Sequence, residues 1–387
     1  MEPFVSCDFV ALAASGVQKL SPYQPGKPIE ELERELGISD IIKLASNENP
    51  LGCSPRVLRA IDSGLSELAL YPDGNGFVLK QALSEFYKRP LAEITLGNGS
   101  NDILELVGRA FLQPGDEAIY AQHSFAVYPL VVQAVGATGI TVPAVNWGHD
   151  LAAMSNAVTS RTRVIFIANP NNPTGTYCSD AEIARLHAGL PGNCVLVLDQ
   201  AYGEYLEDDG PAALELARQH DNVLITRTFS KIYGLAAERI GWCYGQPGLI
   251  ATLNRVRAPF NVTTAGQAAA IAALGDTDFV TRSRQHNAEW RAWMAEELAS
   301  LSNHGLRAIP SWANFLMVIF DGKCSAETAY KALMDEGYIV RWLPGQGFRT
   351  LLLDWGWPGE AERHFTLTDY VAGRLERALA AAPGPVV

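Results

Sequence analysis

Short apolar runs alternate with amphipathic helical patterns through the middle of the chain. The apolar runs predict strands near Thr95, Ala118, Ile140, Val164, Val195, Val223 and Ile240. The segments between them predict helices at residues 76–88, 100–112, 124–135 and 179–190. Strands and helices that alternate in this way are typical of a mostly parallel, doubly wound α/β sheet.

The pattern changes after Pro259. Two helical segments, at 263–274 and 279–301, are followed by apolar strands at 313–318 and 338–341. Helices and strands in this order predict a second, smaller α+β domain. We place the boundary between the two domains within the helix at 279–301.

Composition and charge exclude several classes of protein. The chain has 387 residues, 48% of them hydrophobic and 19% charged, which is typical of a soluble globular protein with two domains. Its formal net charge of -12 argues against nucleic acid as a partner, because phosphate backbones are bound by an excess of lysine and arginine. The uncharged stretch between Ala118 and His149 contains prolines and polar residues, so it predicts strand, helix and strand and no membrane span.

The cysteines and the first residues indicate the compartment. Six cysteines are scattered along the chain with no C-x-x-C pair, which predicts reduced thiols, no disulfide framework and no cysteine metal site. The first residues, Met-Glu-Pro-Phe, carry acid where a signal peptide would carry base. We therefore expect a cytoplasmic protein without a bound metal.

One lysine is placed where it can act as a reagent. Lys231 lies just beyond the predicted strand at 223–226, at the edge where open α/β sheets bind ligands. Ser230 offers a hydroxyl, and Arg239 offers a guanidinium that can bind phosphate through two hydrogen bonds. Pyridoxal 5′-phosphate (PLP) requires these groups, namely an amine for its aldehyde and anchors for its phosphate. A solvated surface lysine is the alternative for this phrase taken alone.

Two more strand ends carry polar residues that suit the same cofactor. The run Asn-Pro-Asn-Asn-Pro-Thr-Gly at 169–175 follows one apolar strand, and Asp199 and Tyr202 follow the next. A carboxylate at Asp199 would keep the pyridine nitrogen of PLP protonated, and Asn172 and Tyr202 would hydrogen-bond its phenolate oxygen. Taken alone, the run would be a surface turn and Asp199 a helix N-cap. Three such strand ends in series favour the cofactor.

A glycine-rich turn, Gly-Asn-Gly-Ser-Asn at 97–101, precedes an amphipathic helix. The backbone N–H groups of Gly99, Ser100 and Asn101 would converge at the helix amino terminus, where a phosphate is favoured. Such a turn alone is weak evidence, because it is usually only an N-cap. Beside Ser230 and its neighbouring arginine it predicts the phosphate cradle.

The order of these motifs resembles that of the fold-type I PLP-dependent aminotransferases over nearly the whole chain. Within that group the sequence most resembles the histidinol-phosphate aminotransferases. The finer resemblance is carried by Tyr-Gln-Pro-Gly at 23–26, Leu-Ala-Ser-Asn-Glu-Asn-Pro at 44–50, Tyr-Pro-Asp at 71–73 and Gly-Asn-Gly-Ser-Asn-Asp at 97–102. The PLP motifs are highly specific for the superfamily, and the first two of these phrases are moderately specific for the subfamily. The resemblance implies a large PLP-binding domain at 50–285 and a small domain formed by 1–49 and 286–387.

The resemblance implies roles for five further residues. Phe125 matches an aromatic residue that stacks on the pyridine ring, with a core phenylalanine as the alternative. Tyr71 matches a tyrosine that reaches the cofactor phosphate of the other subunit, which implies a homodimer. Tyr23 and Asn47 match positions that line the substrate pocket. Arg341 matches an arginine that binds the anionic end of the substrate, with a surface charge on an edge strand as the alternative.

The reaction is also implied by the resemblance. Lys231 would hold PLP and move the substrate proton as general base and acid, with Asp199 and Tyr202 as the other catalytic residues. The subfamily exchanges the amino group between glutamate/2-oxoglutarate and histidinol phosphate/imidazole-acetol phosphate in histidine biosynthesis. The alternatives are an aromatic amino acid aminotransferase, a PLP-dependent amino acid decarboxylase or oxidase, and a non-catalytic PLP-binding protein. The presence of Lys231, Asp199, Tyr202 and Asn172 argues against a non-catalytic protein.

One part of the carboxyl-terminal region departs from the family. Relatives have a second substrate-binding arginine in a phrase like Leu-Arg-Ile-Thr-Ile-Gly, whereas residues 350–358 read Thr-Leu-Leu-Leu-Asp-Trp-Gly-Trp-Pro and leave Leu352 at that position. Arg349 is close, but an odd shift along a strand puts a side chain on the opposite face. Either the anion is bound differently, or the substrate differs, or the recorded sequence is altered locally, for instance by a compensated frameshift.

Overall fold

The computed structural model describes residues 7–354 except 24, 40, 65, 67, 208–210 and 345–349. Within these residues the helices, α1 to α13, are Phe9–Leu12, Ile29–Leu36, Pro55–Gly64, Phe77–Tyr87, Ser100–Phe111, Val127–Ala134, Leu151–Asn156, Asp180–Ala188, Pro211–Gln219, Pro247–Asn254, Thr264–Leu274, Thr277–Ser300 and Ala326–Asp335. The strands, β1 to β13, are Ile42–Lys43, Ile94–Gly97, Glu117–Ala121, Thr138–Val142, Thr162–Ala168, Val195–Asp199, Val223–Thr228, Gly241–Tyr244, Leu306–Ala308, Phe315–Phe320, Tyr338–Ile339, Arg341–Trp342 and Thr350–Asp354. Short 3-10 helices lie at Leu91–Glu93, Gly203–Tyr205 and Ser302–His304.

A seven-stranded sheet organises the larger part of the described chain. Its strand order is β2-β8-β7-β6-β5-β3-β4, and the strands pair in parallel except that β8 is antiparallel to both of its neighbours. The prediction of a doubly wound, mostly parallel α/β sheet is therefore confirmed. Helices connect the parallel strands, because a parallel pair needs a crossover.

The sheet is buried on both faces, which explains its nearly continuous apolar strands. Along β5, Ile165 and Ile167 belong to one hydrophobic cluster and Val164 and Phe166 to another. Successive side chains of a strand point to opposite faces, so these clusters lie on the two sides of the sheet. Helical layers therefore cover both faces, as parallel sheets require.

The strand order puts three predicted ligand-binding loops side by side. Strands β5, β6 and β7 are neighbours and run parallel, so their carboxyl ends lie at the same edge of the sheet. These ends lead into the run at 169–175, the segment from Asp199 to Tyr202, and Lys231. The edge thus gathers residues that are far apart in sequence.

Two smaller sheets are formed by the rest of the described chain. Strand β1 pairs in parallel with β11, and a four-stranded antiparallel sheet has the order β12-β13-β10-β9. The first pairing joins the amino-terminal segment to the carboxyl-terminal half. The division into domains at 50–285 and at 1–49 with 286–387 stays a prediction. Residues 355–387 lie outside the described part.

Most predicted elements are present, and one helix is shorter than predicted. The segment predicted as a helix from residue 124 becomes helical only at Val127. Residues 124–126 form a turn instead, in which the Tyr128 N–H donates to the Phe125 carbonyl at 3.1 Å, and they line the pocket described below. None of the helices in the described ranges is both long and apolar enough to span a membrane.

Candidate active site

A pocket of about 330 Å³ opens at the edge of the large sheet where β5, β6 and β7 end. It is lined by Tyr23, Pro25, Gly26, Ser46, Asn47, Ser100, Asn101, Ser124, Phe125, Ala126, Ala168, Pro170, Asn172, Pro173, Asp199, Ala201, Tyr202, Thr228, Ser230, Lys231, Arg239, Arg341 and Leu343. The pocket thus contains every site residue predicted from the sequence except Gly99 and Tyr71.

Lys231 projects into this pocket from the loop that follows β7. Its Nζ donates a hydrogen bond to the Ser46 backbone carbonyl at 3.0 Å and lies 5.6 Å from the centre of the Tyr202 ring. Ser46 and Asn47 both have left-handed backbone conformations, with φ of 78° and 56°. Such conformations are uncommon outside glycine and cluster at functional sites. This turn directs the Ser46 carbonyl to the lysine.

The glycine-rich turn forms one wall of the pocket, at the amino terminus of α5. Gly99 is the N-cap residue with φ of 78°, and no side chain caps the helix there. A Cβ atom at Gly99 would overlap the Arg239 guanidinium, and one at Gly241 would overlap the Gly99 backbone. Only glycine therefore allows the turn to approach Arg239 this closely.

Ser230 and Arg239 face the same helix end. The Arg239 Nη1 donates to the Ser230 Oγ at 3.2 Å, and Thr228 Oγ1 donates to that Oγ at 3.0 Å. A guanidinium, a hydroxyl and uncapped helix N–H groups at one place make a site that favours an anion. The groups that the sequence suggested for a phosphate cradle lie together at this helix end, and their role stays a prediction.

The cradle turn is held by a residue that the sequence reasoning did not single out. The Asp102 carboxylate accepts from the Asn98 backbone N–H and from the Asn261 amide, both at 2.8 Å and at the same oxygen, Oδ2. Arg257 Nη1 in turn donates to the Asn261 side-chain oxygen at 2.8 Å. Asp102 is the last residue of the motif at 97–102. Its place in that motif was the sequence signal that could have marked it as a residue that holds the turn.

Asp199 lies buried at the end of β6. Tyr128 donates to its Oδ2 at 2.9 Å, and Thr226 donates to its Oδ1 at 3.0 Å. Burial raises the pKa of Asp199 above its usual value, against these hydrogen bonds and one from the Ala201 backbone, which lower it. A cation placed beside this carboxylate would stabilise its charged form. The helix N-cap alternative for Asp199 is wrong.

Tyr202 is held by two amides. Asn47 Nδ2 donates to its phenol oxygen at 2.7 Å and Asn172 Nδ2 at 3.1 Å. Its ring packs edge-on against Phe315, 5.3 Å between centres. Asn172 comes from the loop after β5 and Asn47 from the amino-terminal segment, so the phenol joins three parts of the chain.

Phe125 lines the pocket beside these groups. Its ring meets the Tyr128 ring edge-on, 5.9 Å between centres, and Tyr128 stacks on Phe166 at 4.8 Å. Tyr128 thus has two roles, in the core and as a donor to Asp199. In the sequence it looks like a core residue of an apolar helix, and its hydroxyl was the only signal of the second role.

Arg341 approaches the pocket from β12. Its guanidinium lies 5.7 Å from the centre of the Tyr23 ring. In the antiparallel ladder Leu352 is directly opposite Arg341, so the register pairs the retained arginine with the position where relatives have a second one. Arg349 lies outside the described residues.

Tyr71 is the predicted site residue that the structure does not bring to the pocket of its own chain. It is 82% exposed and stacks on Phe260, with 4.7 Å between ring centres. Phe260 is itself 47% exposed. The pair forms an apolar surface outside the pocket.

The groups in the pocket fit PLP on physical grounds. Because residue 99 has no Cβ atom, the α5 terminus and the Arg239 guanidinium lie side by side, and Ser100, Asn101, Ser230 and Arg239 all line the pocket, where they can contact a phosphate. The buried Asp199 carboxylate suits a ring N–H cation, and Tyr202 offers a phenol near the Lys231 amine. These are the contacts that the phosphate, ring nitrogen, ring hydroxyl and aldehyde of PLP need.

Comparison with known proteins gives the family. Residues 39–356 match the family model "Aminotransferase class I and II". A histidinol-phosphate aminotransferase of Zymomonas mobilis is 52% identical over 335 residues, which are 86% of this chain and 89% of that protein. Histidinol-phosphate aminotransferase 2 of Pseudomonas aeruginosa is 51% identical over 360 residues, 92% of this chain and 96% of that protein.

A solved structure agrees with these relatives. The crystal structure of histidinol-phosphate aminotransferase from Sinorhizobium meliloti in complex with PLP has a TM-score of 0.83 and 28% identity, and the match covers 95% of this chain and 97% of that one. Fold, pocket and sequence thus agree. The chain belongs to the PLP-dependent class I and II aminotransferases, and within them to the histidinol-phosphate aminotransferases.

Proposed function

We propose that this chain transfers the amino group of histidinol phosphate to 2-oxoglutarate, giving imidazole-acetol phosphate and glutamate in histidine biosynthesis. One observation carries the proposal. Lys231, Asp199 and Tyr202 line a single pocket in a chain about half identical to histidinol-phosphate aminotransferases. The exchange is reversible, so the same residues serve both half-reactions.

Each end of the cofactor has residues to hold it. Backbone N–H groups at Gly99, Ser100 and Asn101, with Ser230 and Arg239, would bind the phosphate. Asp199 would keep the ring nitrogen protonated, and Phe125 would pack against the ring. Tyr202 and Asn172 hydrogen-bond the ring oxygen, and their mutual contact of 3.1 Å keeps these two groups together.

Lys231 carries the proton transfer. When bound, PLP supplies an aldehyde that reacts with amines and a ring that withdraws electrons from the neighbouring carbon. The Lys231 amine would hold the aldehyde end of the bound cofactor. Once freed by a substrate amine, it would serve as the general base and acid that moves the proton of the amine-bearing substrate carbon. The Ser46 carbonyl, 3.0 Å from Nζ, keeps the released amine in the pocket.

Arg341 is the group that we assign to the anionic end of the substrate. Its guanidinium lines the pocket beside the Tyr23 ring. Glutamate and histidinol phosphate both carry an anion, and a guanidinium binds carboxylate and phosphate alike. Tyr23 and Asn47 complete the substrate-facing wall.

A stopped-flow experiment tests the proposal. The PLP-loaded enzyme is mixed with glutamate, and then with imidazole-acetol phosphate or an aromatic keto acid. We expect glutamate to convert the spectrum to that of the pyridoxamine form and imidazole-acetol phosphate to restore it. Restoration by the aromatic keto acid alone would favour an aromatic amino acid aminotransferase. Release of carbon dioxide or hydrogen peroxide in place of a keto acid would refute transamination.

A homodimer is part of the proposal. Tyr71 and Phe260 form an exposed, stacked pair, and Leu68 and Leu70, directly before Tyr71 in the sequence, are exposed as well. Large apolar side chains exposed together favour an interaction site. A second copy of the chain would bury it and bring Tyr71 to the phosphate of the partner's cofactor. Light scattering on the loaded enzyme tests this, and a mass equal to one chain at micromolar concentration would contradict it.

We further propose a cytoplasmic location for the enzyme. All six cysteines are free, and Cys178, Cys194, Cys243 and Cys324 are buried among apolar groups. Burial raises the pKa of the Cys178 thiol to about 12, which keeps it protonated and unreactive. Unpaired thiols suit a reducing compartment. Fractionation of cells that express the chain tests the location.

A further inference from the structure

A fully buried ion pair lies on the opposite face of β7 from the pocket. Arg227 is 0% exposed and Glu204 2% exposed, with 3.3 Å between Nη1 and Oε1. Arg227 stands between Thr226 and Thr228, whose hydroxyls contact Asp199 and Ser230. Because side chains alternate along a strand, the strand presents its hydroxyls to the cofactor side and its guanidinium to the other.

The Arg227 guanidinium contacts the turn that follows β6. Its Nη2 donates to the Gln200 side-chain oxygen at 3.0 Å. A Cβ atom added at Gly203 would lie 3.5 Å from the guanidinium carbon, so the turn packs closely on it. From the other side, Arg284 Nε donates to the Glu204 backbone carbonyl at 2.9 Å. Helix α12 and strand β7 thus clamp the segment from Gln200 to Glu204.

Tyr202 is in the middle of this clamped turn. Its phenol oxygen accepts from the Asn47 and Asn172 amides at 2.7 and 3.1 Å. The position of its phenol depends on the turn, because Arg227 and Arg284 hold the turn from two sides. A small rotation of the turn would move the phenol relative to both amides.

A buried ion pair is poorly explained by stability alone. Removing two charges from water costs free energy that their attraction often fails to recover, and apolar replacements of similar volume are often neutral or stabilising. What a guanidinium provides that an apolar group does not is a set of directional hydrogen bonds. Here those bonds end at Gln200 and Glu204, on either side of Tyr202.

We propose that Arg227 and Glu204 are positioning residues, which fix the turn so that the Tyr202 hydroxyl points to the ring oxygen of the cofactor. This inference rests on the proposed role of Tyr202. The pair touches neither cofactor nor substrate and acts through Tyr202. Its loss therefore changes the electronic state of the bound cofactor before it changes substrate binding.

The test measures the pH midpoint of the visible absorption of the PLP-loaded enzyme, without substrate. The variants are Glu204→Gln and Tyr202→Phe, singly and combined. We expect Glu204→Gln to shift the midpoint in the same direction as Tyr202→Phe, by about half a pH unit or more, and to add no shift in the Tyr202→Phe background. We also expect kcat to fall more than KM rises.

Glu117→Gln is the matched control. Glu117 is also buried and accepts from Arg161 Nε at 2.9 Å, but it begins β3, at the edge of the sheet opposite the pocket. This variant should lower the unfolding temperature and leave the midpoint unchanged. If Glu204→Gln fails to fold, the apolar pair Arg227→Met with Glu204→Leu takes its place, with the same expected shift.

Two other outcomes would overturn the inference, and they distinguish a failure of the role of the ion pair from a failure of the role of Tyr202. If Glu204→Gln leaves the midpoint unchanged, or shifts it equally with and without the Tyr202 hydroxyl, the pair is not a positioning device for Tyr202. If Tyr202→Phe itself has no effect on the midpoint, the proposed role of Tyr202 fails and the inference fails with it. In that case Lys231 and Asp199 still test the transaminase proposal separately.

Discussion

Replacing Asp199 by asparagine separates the charge of this residue from its shape. The amide has the same size and can still accept from Tyr128 or Thr226, which lie 2.9 and 3.0 Å from the two carboxylate oxygens. What is lost is the negative charge that we assign to the ring nitrogen of PLP. Asp199→Asn should therefore weaken cofactor binding and slow the proton transfer at Lys231, with little change in the fold.

The size of the effect follows from the kind of contact that is lost. A hydrogen bond to a charged group contributes about 1.5–3 kcal/mol, which corresponds to a roughly 10- to 150-fold increase in the Kd for PLP. The proton-transfer rate should fall as well. An unprotonated pyridine ring withdraws electron density less strongly, so it stabilises less of the negative charge that develops on the substrate carbon. Single-turnover rates with glutamate measure this second effect.

Without PLP, Asp199→Asn should raise the stability of the folded protein, whereas it weakens the binding of PLP. Burial raises the pKa of Asp199 above its usual range, so the folded chain binds this proton more tightly than the unfolded chain. The stability contributed by this proton is fully present below about pH 4 and is lost as the pH rises through the folded pKa. Asp199→Asn carries no such loss. Its unfolding temperature should match that of the wild type near pH 4 and exceed it increasingly at higher pH.

Titration of the cofactor-free protein with PLP, together with thermal unfolding from pH 4 to 8, checks both effects. Asp116→Asn is the control, since Asp116 pairs with Arg163 at the opposite edge of the sheet, 3.4 Å between Nε and Oδ1. It should leave the Kd for PLP unchanged. An Asp199→Asn variant with wild-type PLP affinity and wild-type single-turnover rates would refute the assignment of Asp199 to the ring nitrogen.

Four further predictions concern the amine, the anion site and the partner subunit. Lys231→Ala should abolish turnover and the visible absorption of the loaded enzyme while PLP stays bound through its phosphate; retained transamination at the native rate would show that the assignment is wrong. Arg341→Ala should raise KM about 10- to 150-fold for both glutamate and histidinol phosphate, because both anions use one site. Leu352→Arg should lower the KM for histidinol phosphate, and a folded, PLP-loaded variant without this gain counts against the proposed substrate. Mixing Tyr71→Ala with Lys231→Ala subunits should restore part of the activity, since a mixed dimer keeps one intact site; no recovery would contradict a site shared between subunits.

The sequence predicted the sheet and most of the site because the relevant signals are local. Apolar runs mark buried parallel strands, and polar residues directly after them mark the edge where ligands bind. Lys231, Asp199 and Asn172 each follow such a run, so their common location follows from the parallel arrangement of β5, β6 and β7. The shorter helix at Val127 shows the limit of this reasoning, since apolar residues in a turn look like residues in a helix.

The residues that support the site were missed because their partners are distant in sequence. Tyr128 and Asp199 are 71 positions apart, and Asn47 and Tyr202 are 155 apart. A tyrosine in an apolar helix predicts only burial, and no local pattern shows which carboxylate its hydroxyl will contact. Asp102, within a recognised motif, was visible as a residue but not as the acceptor of Asn261.

By itself, the sequence determined which chemical groups are available to the proposed site and which strand ends carry them, because strand pattern and motif order are properties of neighbouring residues. Only the tertiary structure decided how those groups are held. The Ser46 carbonyl reaches Lys231 across 185 positions, and Arg227 meets Glu204 behind the sheet. Hydrogen bonds depend on distance and direction to within a fraction of an ångström, and the packing of the whole chain fixes both.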